Sequence, residues 1–130
     1  MKISNTTFWT IFCILLVTIG FMLKLPKIFR GYDKELHFLF YFYASFFVSI
    51  TFVKNNFLNF LKAILFLFLF GLFIEYFQEY SNSFFRKRIH GRFDIEDIKY
   101  NTLGLILFNS LWFMNYLIIK LKFIKNERTS

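Results

Sequence analysis

The residues of this chain best suited to chemistry are few and regularly spaced. Asp33, His37, Tyr41 and Ala44 follow i, i+4, i+8, i+11, the period of one helical face. Gly71, Glu75 and Gln78 follow i, i+4, i+7, and Asp97, Asn101 and Gly104 do the same. A histidine and two carboxylates on such stripes can take and give protons, so His37, Glu75 and Asp97 are the candidate acid–base residues. Asp33, Lys34, Tyr41, Gln78, Arg92, Asp94 and Asn101 are the candidate ligand-binding residues. Among these, Arg92 and Lys34, helped by Arg88, suit a phosphate or carboxylate, which arginine grips in a bidentate fork. Asp33, His37, Glu75 and Asp97 are also metal-ligand types, but no tight HxxxH or HExxH pattern accompanies them and no metal is assigned. No Ser, Cys and His spacing suggests a nucleophile and its base, and no cofactor is named by these residues.

The elements that must position these groups follow from composition. The chain has 130 residues, 57% hydrophobic and 18% charged. Soluble domains average roughly 45–50% and about 25%. Phenylalanine fills 23 positions, while alanine occurs only at Ala44 and Ala63. A domain this small buries the smallest fraction of its surface, so water is the wrong solvent for it. Disorder is excluded too, because disordered chains are poor in aromatics. Phe, Ile, Lys, Asn and Tyr share AT-rich codons, so the phenylalanine excess carries no functional weight. The formal charge of +8 flanks apolar runs, where membrane topology and lipid headgroups call for it, and no nucleic-acid partner is expected. Cys13 is the single cysteine and can form no internal disulfide.

Four apolar runs, about 8–23, 36–53, 61–77 and 102–119, are each near the length needed to cross a ~30 Å hydrocarbon core. In lipid, four short runs can satisfy their backbones only as helices. The expectation is one all-α domain over 1–130, an integral membrane bundle of four transmembrane helices. The first run lacks a small-x-small cleavage site and reads as a retained signal anchor, with Pro26 just past its end. Residues 54–60 form a short connection and 78–101 a long polar one. On this topology seven Lys and Arg residues on the side of the termini face nine on the other, so charge alone leaves the orientation open.

Two crossings separate 24–35 from 78–101, so these connections share one membrane face and the three polar stripes converge there. Asp94 stands where an N-cap would, three residues before Asp97, so the last helix is expected to begin before the membrane. Gly71 and Gly104 would let helices approach closely beside the polar groups. Glu75 follows the run Leu65–Phe70, where a charge costs about 2.5–3.5 kcal/mol at mid-helix and less near an end. It should face inward with a partner, and Arg92 or Lys34 is the expected one. His37, Glu75, Asp97 and Arg92 are expected together between three helices.

These residues resemble the VanZ-like family of small bacterial membrane proteins. The matching pieces are Asp33-Lys34-x-x-His37 with Tyr41, then Ile74-Glu75-x-x-Gln78, then Gly91-Arg92-Phe93-Asp94-x-x-Asp97-x-x-x-Asn101-Thr102-x-Gly104. They run from 33 to 104 in the family's order. His90 stands where proline is frequent in the family, a minor departure. The resemblance implies an envelope protein, and the family is associated with lowered susceptibility to teicoplanin-type lipoglycopeptides, which act at the outer face of the cell membrane. A multi-pass protein of the cell membrane with cytoplasmic termini would fit that association.

Two functional readings follow. In one, the polar pocket binds, and in an enzyme would modify, an anionic lipid-linked or cell-wall molecule, with membrane lipids as further partners. In the other, the same residues form a non-catalytic ion-pair network that holds the helices together.

Overall fold

The computed structural model describes residues 18–19, 31–53, 56–86 and 91–129. They form three long helices and, among the described residues, no strand. Helix α1 runs Asp33–Val48 and continues as a π-helical turn, Ser49–Val53. Helix α2 is Phe57–Phe84 and helix α3 is Ile95–Thr129.

All three are long and apolar enough to cross a membrane, over Asp33–Val53, Phe57–Phe84 and Ile95–Asn126. This corrects the four-helix bundle expected from the sequence. Three candidate spans are found among the described residues, and the run 8–23 lies outside them apart from positions 18 and 19. The boundaries are corrected as well. Helix α2 extends past its apolar run with Gln78 and Ser81 buried, and α3 runs on through the exposed Lys120, Lys122 and Lys125, since no helix-breaking residue intervenes. The 21 residues of the first span rise about 32 Å at 1.5 Å each, matching the hydrocarbon core, whereas the 28 of α2 rise about 42 Å and overhang it.

Local signals explain the ends. Asn56 caps α2 by accepting the Asn59 N–H at 3.1 Å. No glycine or proline interrupts α2 between Gly71 and Phe84, so the helix runs through residues 78–84, which the sequence assigned to a loop. It stops at Arg86, whose φ of 48° is left-handed. Helix α3 begins after Asp94, whose Oδ1 accepts the Glu96 N–H at 2.8 Å.

Packing is dominated by α1 against α3, with α2 alongside both. Tyr41, Leu67 and Leu105 form the buried apolar centre, flanked by Phe40, Ala44 and Val48. Gly104 of α3 meets α1 backbone to backbone: a Cβ there would collide with the Phe38 carbonyl oxygen and come within 3.1 Å of the Phe42 nitrogen. Lower in the bundle, the Phe42 and Phe108 rings meet edge to face with centroids 5.6 Å apart, and Phe60 stacks on Trp112 at 4.1 Å. The remaining aromatic and aliphatic surface, including Phe66, Phe73, Tyr76 and Leu121, points outward where acyl chains would cover it.

Candidate functional site

The polar residues collect at the end of the bundle where α1 starts, α2 ends and α3 starts. Helix α1 supplies Asp33, Lys34 and His37 from its first turns. The side chain of Lys34 reaches across to α3, where its Nζ donates to Asp94 Oδ2 at 2.6 Å and to Asp97 Oδ1 at 2.7 Å, with Glu96 Oε2 at 3.7 Å. That hydrogen bond holds the Asp94 carboxyl below its ordinary value, because the lysine stabilises the carboxylate form. Asp97 is buried and Asp94 half-exposed, so the clamp runs from the interior to the rim.

His37 lies inside this clamp and is buried. Its Nδ1 is 2.9 Å from Asn101 Oδ1. An amide oxygen only accepts, so this contact assigns the proton to Nδ1 and directs the Nε2 lone pair the other way. There Nε2 lies 4.0 Å from Asp33 Oδ1 and 3.8 Å from Asp97 Oδ2. These separations exceed a hydrogen bond.

Helix α2 contributes its last turns. The segment before α3 docks on them through its backbone: Asn82 Nδ2 donates to the Gly91 carbonyl, Phe93 N–H donates to Glu79 Oε2 at 3.3 Å, and Asp94 N–H donates to Glu75 Oε2 at 3.2 Å. Gly91 sits against the Gln78 amide, where a Cβ would come within 3.0 Å of its oxygen. Glu75 itself is 0% exposed, and its second oxygen, Oε1, has no hydrogen-bond partner among the described residues. The charges that act on it most are those of Asp97, Asp94 and Asp33, all of its own sign.

One turn deeper the site closes. Tyr41 is 1% exposed and packs against Gly71, where a Cβ would lie 2.9 Å from its hydroxyl and 3.3 Å from Asn101 Nδ2. Along α1 the buried positions continue as Ser45 and Ser49, each four residues on, and α3 adds the buried Asn109.

Most of the residues singled out from the sequence therefore lie in one place. Asp33, Lys34, His37, Asp94, Asp97 and Asn101 are joined by the contacts above, Glu75 adjoins them through the Asp94 backbone, and Tyr41 and Gln78 line the floor and the α2 wall. The partner of Glu75 is a correction: a backbone N–H takes the place expected for Arg92 or Lys34. Arg92 is exposed at the rim rather than gathered between the helices with His37, Glu75 and Asp97. Arg88 lies outside the described residues. Glu79, Asn82, Ser45 and Ser49 belong to this end or to the seam below it and were not singled out. Ser45 and Ser49 were findable, because they continue the four-residue spacing of His37 and Tyr41.

Fold and site together define a helical protein with three helices long and apolar enough to cross a membrane and a carboxylate-rich, partly buried site at one end of the bundle. No known protein family, curated protein or solved structure matches the chain.

Proposed function

We propose that this protein is a VanZ-like protein of the bacterial cell membrane, with a cytoplasmic C-terminal end, whose interfacial site binds the anionic headgroup of a lipid-linked or cell-wall molecule. The observation that carries the reading is Glu75, fully buried with one oxygen unpartnered among the described residues. A network that served only to join helices would satisfy each of its members, since a half-satisfied buried network is worse than an apolar contact. Ionisable groups kept inside membrane proteins at such cost mark sites of function. In this reading Arg92, exposed at the rim, meets the anion first, and His37 with Glu75 or Asp97 handles protons if the bound molecule is transformed.

The test is lipid identification in protein purified in mild detergent. The wild type should carry a headgroup class enriched over the host membrane, and Arg92→Ala and Glu75→Gln should lose it while eluting as folded protein. Lipid indistinguishable from bulk membrane in all three would end the headgroup reading.

One observation favours the second reading, an ion-pair network that fastens helices. Lys34 is already held by two carboxylates at 2.6 and 2.7 Å, so its charge is spent within the protein rather than offered to an anion. The two readings divide the cluster: Lys34 with Asp94 and Asp97 is the fastener, and the Glu75 side with Arg92 is the binding surface.

A further inference from the structure

We propose that Asp33, His37 and Asp97 form a binding site for one divalent first-row transition-metal ion. The proposal does not depend on the headgroup reading. The three residues offer one imidazole nitrogen and two carboxylate oxygens, all within 4.8 Å of one another. That is a mixed donor set of the kind zinc and manganese accept.

Geometry carries the inference first. Asp33 and His37 are four apart on α1 and so project from one helical face, while Asp97 faces them from α3. His37 Nε2 stands 4.0 and 3.8 Å from the two carboxylate oxygens. Donor atoms around a tetrahedral ion with bonds near 2.1 Å are separated by roughly 3.4 Å, so the two His37 separations need a contraction of roughly half an ångström and the carboxylate pair, within 4.8 Å, at most roughly 1.4 Å, to place three ligands on the ion. The orientation is already set from behind. Asn101 takes the Nδ1 proton of His37, which leaves Nε2 as the donor atom, and Lys34 holds Asp97 through Oδ1, which leaves Oδ2 turned to the histidine. Fixing a metal-binding histidine through its other nitrogen is the usual outer-shell arrangement.

Charge and desolvation carry it second, and independently. Three carboxylates, Asp94, Glu96 and Asp97, pair with the single ammonium of Lys34 among the described residues, and Asp33 and the buried Glu75 add two more carboxylates to the same end of the bundle. Glu75, fully buried with one oxygen unpartnered among the described residues, lies on the α2 side of this group and feels the charges of Asp97, Asp94 and Asp33. Keeping Glu75 and Asp97 buried among further carboxylates with one ammonium is costly. A divalent cation at Nε2 supplies the counter-charge where the donor atoms converge, and three protein ligands leave further coordination positions open.

The experiment uses the full chain in detergent after treatment with EDTA, titrated with Mn²⁺ and followed by the loss of the free-ion electron paramagnetic resonance signal. One ion should bind per chain, displaceable by Zn²⁺, and the thermal midpoint should rise with the ion present. Asp33→Asn and His37→Gln should each weaken binding at least tenfold, and Asn101→Ala should weaken it by about 10–100-fold through the outer shell. Glu96→Gln, at an exposed position, should bind as the wild type does. Asp33→Asn leaves the Lys34 contacts intact, so it decides the matter should His37→Gln fail to fold. Absence of saturable binding overturns the proposal, as does binding that Glu96→Gln weakens as much as Asp33→Asn, which would mark a diffuse acidic surface. A second arm replaces the ligand: in a Cys13→Ser background, Asp33→Cys loaded with Co²⁺ should show a sulfur-to-metal charge-transfer band. Its absence in folded, Co²⁺-treated protein also overturns the site.

Discussion

Gly104 of α3 rests against the Phe38 carbonyl of α1 with no room for a Cβ between them. The obstacle is backbone on both sides, so it cannot rotate away as the end of a side chain can. The distance between α1 and α3, and with it the reach from Lys34 to Asp97, is set by a hydrogen atom.

Gly104→Ala should therefore destabilise the protein by about 1–3 kcal/mol through overpacking, and Gly104→Leu should abolish the folded state. Gly31→Ala, with nothing within 4 Å of its added methyl, should leave the melting temperature in detergent unchanged. Equal melting temperatures for Gly104→Ala and wild type would show that the helices do not touch at this point.

Lys34→Met should remove more stability than an exposed ion pair accounts for. Its loss strands Asp97, whose side chain is only 9% exposed, and breaking one side of a buried pair costs about 3–5 kcal/mol. The Glu96 contact, at 3.7 Å with a 60% exposed partner, should be worth under about 1 kcal/mol. Double-mutant cycles in detergent should accordingly give a larger coupling for Lys34 with Asp97 than with Glu96. The reverse ranking would contradict the clamp.

Acid should loosen the same region. The Lys34 hydrogen bond holds the folded Asp94 carboxyl below its ordinary value of 3.8. A carboxyl depressed by folding contributes stability that is complete above the unfolded value and disappears as pH falls through the folded one. Melting temperature should fall as pH drops below about 4, and both Asp94→Asn and Lys34→Met should flatten this dependence. An unchanged acid slope in Asp94→Asn would assign the effect to other carboxyls.

The three candidate spans also predict a topology. In a Cys13→Ser background, single cysteines at Tyr32 and Phe93 should react with a membrane-impermeant maleimide from the same side, since α1 and α2 lie between them. One at Phe123 should react from the opposite side. Labelling of positions 32 and 93 from opposite sides would refute the spans assigned to α1 and α2.

How far the sequence foretold this arrangement depended on whether a side chain or a backbone group made the contact. The stripes Gly71–Glu75–Gln78 and Asp97–Asn101–Gly104 are buried throughout, and of Asp33–His37–Tyr41–Ala44 the middle two are buried and the ends half-buried, because four-residue spacing constrains which face of a helix a residue occupies. Asp94 was legible as the start of α3 for the same local reason, a short acceptor next to unpaired helical N–H groups. The partner of Glu75 was not legible. It is a backbone N–H presented by the loop before α3, and every residue but proline carries one. A nearby arginine in the sequence drew the inference towards Arg92, whose side chain lies exposed. The extents of the helices were missed because Glu79, Tyr80 and Asn82 look like loop residues, yet nothing among them breaks a helix. The fourth expected span rested on the run 8–23, which lies outside the described residues apart from positions 18 and 19.

The clamp between Lys34 and Asp97 also imposes an order in time. The two residues are 63 apart in the chain. At a synthesis rate of roughly 5–20 residues per second, α1 emerges about 3–13 s before Asp97 exists. Throughout that interval Asp33, Lys34 and His37 have no α3 to pair with, and the carboxylates that complete the site arrive with the final span. The site is therefore built last, after α1 and α2 are already in place. A nascent chain halted before residue 94 would carry Lys34 and His37 at a helix end with none of the α3 carboxylates yet made.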